Sequence, residues 1–357
     1  MKKFSLVFLM LAASLASCVQ GKGKTSDIDR VVPSSVEMKG ASFKILQLTD
    51  IHFSYSTNIK HEGGFLTSSV NYANPDLIVI TGDSLLNASK GVADSLFSLF
   101  DSWKTPYYFL FGNHELQGFY SESWLMNKIY TSQYCWNSLM GSTSKSGHTD
   151  SVLNLQKNGK TFFQVYSLDT HSSVNINGTY YYDSLKQDQI EWYENEAIKA
   201  KESNGGIAVP SLGFMHIPLW EIVDAYMNDE REIIGEIHEK ATYKKVPALT
   251  ERLGSPLPFC PAREYAGFFP KAELYGMKGI FFGHDHSNDW VGEYHNIAIG
   301  YGVKADRELY YSVSSEGKDM IGGALYTIKE DASYSIKHFY LDYNDYSLTY
   351  EKEVNRA

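Results

Sequence analysis

The sequence predicts an α/β fold, in which buried strands alternate with amphipathic helices. From Phe43 onward, short apolar runs rich in Ile, Val, Tyr and Phe are separated by turn residues from stretches with helical periodicity. The predicted strands are 43–48, 77–80 and 107–111, and the predicted helices between them are 65–73 and 92–103. Repeated units of strand, helix and strand form parallel sheets, so we expect the first part of the sheet to be largely parallel.

The next part of the sheet is predicted to be antiparallel. Residues 152–168 contain two strand-like runs around Asn158-Gly159, and Asn-Gly is the strongest short-range signal for a hairpin. The later elements are predicted as a helix from about 185 to 201, a strand over 207–215, a helical or irregular insertion over 219–275, a strand over 279–282, and strands to about 350. The chain has 357 residues, 43% of them hydrophobic, and no internal repeat, so we expect one domain over residues 41–350.

The N-terminus has the features of a bacterial lipoprotein signal. Two lysines precede an apolar run over residues 4–13, which is too short to span a bilayer that requires about 20 residues. The sequence Leu15-Ala16-Ser17-Cys18 resembles the bacterial lipobox, in which the cysteine is lipidated and becomes the first residue of the mature protein. We expect a signal peptide over 1–17, a lipidated Cys18 with a linker over 18–40, and an exported protein anchored on the periplasmic side of a membrane or at the cell surface. An ordinary signal peptide with a coincidental cysteine is the alternative.

Composition limits the partners of this protein. The formal net charge of −10 and the absence of a long basic patch exclude a protein that holds extended nucleic acid through its phosphates. No feature indicates an obligate protein partner. Cys135 and Cys260 remain beyond the anchor, and an exported compartment permits them to form a disulfide. We expect two unlinked buried thiols instead, because nothing in their flanking residues indicates proximity.

Polar residues that can bind metal ions follow the predicted strands directly. Ligands of α/β proteins bind at the carboxyl ends of the strands, and each candidate residue lies at such an end. Five segments share this position: Thr49-Asp50-Ile51-His52, Gly82-Asp83, Gly112-Asn113-His114-Glu115, Met215-His216 and Gly283-His284-Asp285-His286. Each segment alone is a common sequence, but the ordered set of five predicts a site.

The donor atoms of this set suit transition metals. Carboxylates, imidazoles and one amide favour Zn, Mn or Fe, and the set lacks the thiolates of closed structural zinc sites. Alternate residues of an extended segment point the same way, so Asp50 and His52 can reach one ion together, as can His284 and His286. Asp83 lies on the middle segment, and its two oxygens suit a bridge between two ions about 3.5 to 4 Å apart.

In this order, Asp-x-His, Gly-Asp, Gly-Asn-His-Glu, a single His and Gly-His-x-His resemble the signature of the calcineurin-like metallophosphoesterases. The resemblance spans residues 43 to about 303, and 283–289 with Gly300-Tyr301-Gly302 look closest to a small purple-acid-phosphatase-like branch. It implies a four-layer α/β/β/α sandwich with mixed central sheets, two transition-metal ions, and hydrolysis of a small phosphate ester, either a monoester or a diester. The alternative function is a surface lipoprotein that uses the same fold to bind a ligand without catalysis.

The resemblance also implies roles for individual residues. The residues implied to hold the first metal ion are Asp50, His52, Asp83 and His286. Those implied to hold the second are Asp83, Asn113, His216 and His284. His114 remains outside both sets and resembles the family histidine that stabilises the transition state and helps to protonate the leaving oxygen. Glu115 either orients these residues from behind or is a carboxylate that stabilises the start of a helix.

Two departures from the purple enzymes concern the metal ions. Those enzymes carry a tyrosine three residues after the Gly-Asp aspartate, where this chain has Leu86, and their first motif lacks the histidine that is His52 here. We therefore expect no tyrosinate-coloured ferric centre, and a pair of Zn, Mn or ferrous ions instead. The chain also lacks the Arg-bearing motif that Ser/Thr protein phosphatases carry after Gly-Asp, which disfavours phosphoproteins as the main substrates.

The lipid anchor can be tested by one substitution. Cys18→Ser is expected to leave an unlipidated precursor that keeps its signal peptide, because the thiol is the site of acylation. Metabolic labelling with a fatty acid and the size of the protein on a gel measure the two properties. Unchanged labelling and processing in this variant would show that the lipobox resemblance is coincidental.

Overall fold

Two β-sheets packed face to face occupy the centre of the protein, and helices cover their outer surfaces. The computed structural model describes residues 32–137, 146–227, 260–286, 288–307 and 319–356. The predicted signal peptide, Cys18 and most of the linker lie outside the described residues, as do residues 228–259 of the predicted insertion. No helix in the described part of the chain is long and apolar enough to cross a membrane.

Strands and helices alternate in the first part of the described chain, and the described residues after 276 form strands without helices. The described strands are β1 (Ser35–Glu37), β2 (Ser42–Leu48), β3 (Leu77–Thr81), β4 (Tyr107–Leu110), β5 (Ser151–Lys157), β6 (Lys160–Ser167), β7 (Ser173–Ile176), β8 (Thr179–Tyr182), β9 (Ser211–Phe214), β10 (Met277–Phe282), β11 (Val291–Tyr294), β12 (Ile297–Tyr301), β13 (Gly322–Lys329), β14 (Tyr334–Leu341) and β15 (Leu348–Arg356). The described helices are α1 (Ile59–Ala73), α2 (Lys90–Ser102), α3 (Glu122–Thr131), α4 (Gln187–Ser203), α5 (Glu221–Met227) and α6 (Phe269–Leu274), with a short 3₁₀ turn over Glu115–Gln117.

Both sheets mix parallel and antiparallel strands. Sheet I has the strand order β15-β14-β13-β2-β3-β4, in which β2, β3 and β4 are parallel and the others antiparallel. Sheet II has the order β1-β5-β6-β9-β10-β12-β11, in which β6, β9, β10 and β12 are parallel. The hairpin predicted around Asn158-Gly159 is the antiparallel pair β5 and β6, and β7 and β8 form a separate hairpin. The mixed sheets are those that the family resemblance implied.

Three hydrophobic clusters hold four layers together. Between the sheets, the ring of Phe281 in sheet II lies 4.4 Å from that of Tyr326 in sheet I, centroid to centroid, within a cluster drawn from both sheets. The outer face of sheet I packs on α1, α2 and α3, where Phe65, Phe97 and Leu125 are fully buried. The outer face of sheet II packs on α4, α5 and α6. The order of layers is therefore α/β/β/α, and the predicted four-layer sandwich is confirmed.

A buried glutamine joins the two sheets beneath the carboxyl ends of their central strands. Gln47 is 0% exposed, and its Nε2 donates to Thr81 Oγ1 (2.9 Å) in sheet I and to Phe282 O (3.1 Å) in sheet II. Its Oε1 accepts a 2.7 Å hydrogen bond from the hydroxyl of Tyr326. Because each polar atom of the amide is bonded, Gln47 is buried at little cost and ties the ends of β3 and β10 together.

Helix α1 begins earlier than the sequence periodicity predicts. The glycine pair at 63–64 lowers helix propensity and conceals the first turn, yet the helix begins at Ile59, and Asn58 caps it by accepting a backbone N–H. A Cβ on Gly64 would lie 2.9 Å from the hydroxyl oxygen of Tyr346, so a larger residue here would displace a side chain from a distant part of the chain. Helix α3 and the β7–β8 hairpin have no counterpart among the predicted elements.

The two cysteines of the described region are not linked by a disulfide. Cys135 is buried in the core beneath sheet I, and Cys260 is only partly buried, with its backbone N–H donating to Asp285. The prediction of unlinked thiols is confirmed, whereas the full burial predicted for Cys260 is wrong, because this residue lies in an irregular segment between α5 and α6.

A buried histidine in β14 makes the fold sensitive to acid. His338 is 0% exposed, and neither ring nitrogen makes a hydrogen bond of normal geometry. Burial lowers the pKa of His338 from 6.5 to about 4, and the backbone of Asp289 only partly opposes this shift. The unfolded chain binds a proton here near pH 6.5 but the folded chain only near pH 4, so stability falls as the pH drops between these values.

Replacing His338 by leucine is expected to remove this part of the acid sensitivity. Urea denaturation measures the free energy of unfolding of His338→Leu and of the unaltered protein at both pH values. The variant's value minus that of the unaltered protein should increase by about 2 kcal/mol when the pH is lowered from 7 to 5. Phe339→Leu, a packing change in the same strand without a titrating group, is the matched control. Its free energy of unfolding should differ from that of the unaltered protein by the same amount at pH 7 and pH 5. An identical response of the two variants to pH would contradict the role of His338.

Candidate metal centre

The five predicted segments meet where the carboxyl ends of the two sheets come together. The ends of β2, β3 and β4 in sheet I supply Asp50, His52, Asp83, Asn113 and His114, and the ends of β9 and β10 in sheet II supply His216, His284 and His286. Parallel strands expose their carboxyl ends at one edge, which is why residues far apart in sequence arrive together. The structure therefore brings every predicted ligand to one place.

The donor atoms form two groups, each of which could hold a metal ion. One group contains Asp50, His52, Asp83 and His286, the other contains Asp83, His216 and His284, and the donor atoms of each group lie within 4.8 Å of one another. The amide of Asn113 adjoins the second group, since its Oδ1 lies 3.1 Å from His216 Nε2. The same division is implied by the family resemblance, with Asp83 in both groups. The individual metal contacts stay predictions.

Asp83 lies between the two groups. Its Oδ2 is 3.1 Å from His216 Nε2 on one side and 3.7 Å from His52 Nε2 on the other. Its Oδ1 accepts a 2.8 Å hydrogen bond from the backbone N–H of His114. A carboxylate held in this way faces both groups, as a ligand shared by two ions must.

Asp50 connects the first group to sheet II. Its Oδ1 is 3.3 Å from His286 Nε2. Its Oδ2 accepts hydrogen bonds from the hydroxyl of Thr49 (2.7 Å) and from the backbone N–H of His284 (3.0 Å). Because His284 belongs to the other sheet and to the second group, Asp50 couples the two sheets and the two groups.

Four of the predicted ligands adopt the left-handed backbone conformation. The φ angle is +52° at Asp50, +51° at His52, +48° at Asp83 and +75° at His284. This region is unfavourable for residues other than glycine, and strain of roughly 1–3 kcal/mol per residue persists only where the surroundings enforce it. Here the strain accompanies the sharp change of chain direction that follows each strand and brings the donor groups together.

Two motif glycines allow the segments to approach one another. A Cβ on Gly112 would lie 2.4 Å from Asp83 Oδ1, and a Cβ on Gly283 would lie 2.0 Å from Thr49 Oγ1. Both distances are far shorter than van der Waals contact. The glycines of the Gly-Asn-His-Glu and Gly-His-x-His motifs are therefore required by the packing of one motif against another.

Nearby imidazoles keep the carboxylates ionised although they are buried. Burial alone would raise the pKa of Asp83, but the charges and hydrogen bonds of His216 and His52 hold it well below its usual value. Burial would likewise raise the pKa of Asp50, and His286 above all holds it low. In return, burial alone would lower the pKa of His216, but Asp83 raises it to about 9. Each carboxylate thus requires positive charge close by, which a metal cation can supply in place of a proton on the ring.

The protonation state of His284 indicates whether a cation fits this arrangement. Burial and repulsion by His216 lower the pKa of His284 to about 3, so its ring is neutral and one nitrogen keeps a lone pair. Its Nε2 is buried and accepts no hydrogen bond from the described residues. A buried imidazole nitrogen in this state is suited to bind a metal. Together with two ionised carboxylates and the other imidazoles, it makes a set that fits two transition-metal ions, as predicted.

Glu115 fastens two motif segments from behind. Its carboxylate accepts backbone N–H bonds from Gly112 (2.6 Å), Ser84 (2.6 Å) and Asp83 (3.1 Å). Its side chain is buried, and burial together with repulsion by Asp83 raises its pKa to about 7. Although Glu115 begins a 3₁₀ turn, these bonds join the ends of β3 and β4, which fits the orienting role among the two predicted alternatives.

His114 lies beside the centre but outside both groups. Its side chain is 30% exposed, and its Nε2 lies 3.8 Å from Asp83 Oδ2. Its Nδ1 lies 2.7 Å from Gln117 Oε1, which fixes the orientation of the ring. An oriented imidazole that is open to solvent can exchange a proton with a bound molecule.

Among the residues that contact predicted ligands, Tyr182 and Asp306 have no counterpart among the predicted site residues. Tyr182, at the end of the β7–β8 hairpin, places its ring 4.2 Å from that of His284, centroid to centroid. Asp306 Oδ2 lies 3.4 Å from His52 Nδ1. Neither residue directly follows one of the predicted strands that carry the motifs, so the pattern that reveals the other ligands contains no signal for these two.

Comparison with known proteins agrees with this geometry. The family model described as calcineurin-like phosphoesterase matches residues 43–288, which is most of the chain. The chain belongs to the calcineurin-like phosphoesterase family. The match begins in β2 and ends just after His286, so it includes all five motif segments and confirms the resemblance seen in the sequence.

Several relatives of this phosphoesterase-family member carry purple acid phosphatase names. Two proteins of Arabidopsis thaliana, named probable inactive purple acid phosphatases 14 and 29, are 26% and 25% identical, and the matches cover 76% and 73% of this chain and 72% and 71% of theirs. The crystal structure of a dimetal phosphatase from Danio rerio is 11% identical and matches with a TM-score of 0.55 over 88% of this chain and 99% of its own. At this identity the structural likeness shows the fold alone.

The colour of the centre can be predicted from Leu86, which occupies the position of the purple-enzyme tyrosine. Leu86 lines a cavity of about 260 Å³ together with His52 and Asp306. Protein loaded with ferric iron is therefore expected to lack the strong visible charge-transfer band of tyrosinate bound to iron, as measured by absorption spectroscopy. A strong band would show that another tyrosine has taken this role, and its loss in Tyr182→Phe would identify that residue.

Proposed function

We propose that this chain hydrolyses small phosphate esters, either monoesters or diesters, with two transition-metal ions. The observation that carries the proposal is that two buried donor groups share Asp83, while His114 lies beside them, outside both and open to solvent. When bound, the cations neutralise phosphate oxygens and lower the pKa of water toward neutrality, so that hydroxide can attack phosphorus. This arrangement supports hydrolysis better than any other reaction.

His114 is placed to protonate the leaving oxygen. Its Nδ1 donates to Gln117 Oε1, so Nε2 is the nitrogen that faces Asp83 and the centre. When the ring is protonated, the hydrogen on Nε2 can pass to the oxygen of the departing alcohol. The side-chain amide of Gln117 in turn donates a 3.2 Å hydrogen bond to Asn113 O. The loop that supplies the predicted ligand Asn113 therefore also orients the ring of His114.

The names of the two Arabidopsis relatives raise ligand binding without catalysis as the alternative. Those names describe the relatives as probably inactive. This chain carries every donor that the family resemblance implies, and the carboxylates and imidazoles among them lie in two groups that could each hold a metal ion. The complete set supports an active enzyme, and the variants described below distinguish the two functions.

We also propose that the enzyme acts outside the cytoplasm. The support is the signal-like N-terminus and the lipobox resemblance that ends at Cys18. A tether of about 20 residues between Cys18 and the first strand would leave the domain free to meet soluble phosphate esters near the membrane surface.

Two substitutions separate the predicted ligands from the predicted acid. Asp83→Asn is expected to deplete metal and abolish activity, because it weakens a carboxylate that both groups share. His114→Asn is expected to retain near-normal metal while its turnover falls roughly 10²- to 10⁴-fold, the range of general acid–base groups. Metal analysis of the purified proteins and steady-state kinetics with p-nitrophenyl phosphate, bis-p-nitrophenyl phosphate and nucleotides measure both effects.

The leaving group provides the sharper criterion for His114. A p-nitrophenolate leaves almost without a proton, so the deficit of His114→Asn should grow with the pKa of the departing alcohol. His295→Asn, the same change at an exposed histidine between β11 and β12, is the matched control and should behave as the unaltered enzyme. Loss of metal from His114→Asn, or an equal deficit for aryl and alkyl esters, would contradict the acid role. Metal-replete unaltered protein without activity on any ester would instead favour the binding function.

A further inference from the structure

The segment after β12 forms part of the metal centre although it carries none of the family motifs. Lys304 pairs with Thr49 in a parallel bridge, and the backbone N–H of Ala305 donates to Thr49 O at 2.9 Å. On the other side, the backbone N–H of Gly322 donates to Lys304 O at 3.0 Å. These bonds hold residues 303–307 between the end of β2 and the start of β13, directly beside the Asp-x-His motif.

This position brings one carboxylate to the outer side of His52. The side chain of His52 is 2% exposed, its Nδ1 lies 3.4 Å from Asp306 Oδ2, and its Nε2 lies 3.7 Å from Asp83 Oδ2. The two ring nitrogens therefore face different carboxylates, one outside the donor group and one within it. Neither nitrogen makes a hydrogen bond of normal geometry with any described residue.

A histidine that binds a metal through one nitrogen is normally oriented by an acceptor on the other. The acceptor fixes the tautomer, holds the plane of the ring and makes the ligating nitrogen more basic. Asp306 is the acceptor within reach of Nδ1, which leaves Nε2 to face Asp83 and the first donor group. The left-handed backbone of His52, at φ +51°, makes such external support more important, because the local chain conformation alone is unfavourable.

We propose that Asp306 is a positioning residue for His52, and that it holds the imidazole with Nε2 directed at the first metal ion. This role of Asp306 affects metal binding, which can be measured independently of hydrolytic activity. The carboxylate that supports the histidine of the Asp-x-His motif then comes from a segment outside the motifs.

A competing role for Asp306 is to balance a buried lysine. Lys304 is 4% exposed, burial lowers its pKa to about 8, and Asp306 and Asp50 oppose that shift. If Asp306 served only this purpose, its removal would lower the stability of the metal-free fold and leave metal affinity unchanged. The two roles therefore differ in a property that can be measured without substrate.

The test compares metal binding by Asp306→Asn and Asp306→Ala. Metal-free protein is titrated with Zn²⁺ against a chromophoric chelator, and Co²⁺ spectra report the coordination of the ions. Asp306→Ala is expected to lose about 10- to 100-fold in affinity at one of the two sites, the range for residues that support metal ligands. Asp306→Asn, which is nearly isosteric and keeps an acceptor oxygen, should fold normally and show a smaller loss with a changed Co²⁺ spectrum.

Two controls make the result decisive. Asp319→Asn removes another buried carboxylate near this segment, one that accepts the backbone N–H of Tyr343 at 2.8 Å, and it should leave metal affinity unchanged. If Asp306 acts through His52, adding Asp306→Asn to His52→Ala should cause no further loss of affinity. Metal affinity and Co²⁺ spectra of Asp306→Asn and Asp306→Ala that match those of the unaltered protein would overturn the proposal. So would equal additional losses in the presence and absence of His52.

Discussion

Two buried carboxylates at the junction of the sheets are the constraint on which the rest of the structure depends. Asp50 and Asp83 are each 1% exposed, and an unpaired charge at such a position is strongly unfavourable. Positive charge must therefore lie close to both, and the ends of β2, β9 and β10 supply the imidazoles that carry it or that bind cations in its place. The left-handed ligand conformations, the motif glycines and the three N–H bonds to Glu115 all hold this set together.

The four-layer architecture supplies the rigidity that such a site needs. Strained backbone and closely spaced charges persist only where the surrounding structure is stable enough to enforce them. Here the hydrophobic cluster between the sheets and the fully bonded amide of Gln47 lie directly beneath the site and fix the two carboxyl edges relative to each other. The outer helices cover the remaining faces of both sheets and leave the site at the edge where the strands end.

The chain carries the residues that the family resemblance implies as ligands, and it differs locally from the purple enzymes that it resembles. Leu86 replaces their tyrosine, and His52 is added to the first group with Asp306 beside it. Both differences alter the surroundings of the first metal ion, whereas the second group, with His216 and His284, keeps the expected composition. Metal preference is thus expected to differ from that of the purple enzymes chiefly at the first ion.

The sequence by itself determined the fold class and the predicted ligands, because both depend on local patterns. Each ligand directly follows an apolar strand, and the ends of parallel strands must meet at one edge, so spacing and order predict the site. Only the tertiary structure placed Asp306 beside His52, Tyr182 against His284 and Tyr346 against Gly64 of α1. These contacts join segments that are distant in the chain. They are made by residues of loops and hairpins, whose sequences show no periodicity. Such contacts are decided by how the layers pack, which no local pattern of residues encodes.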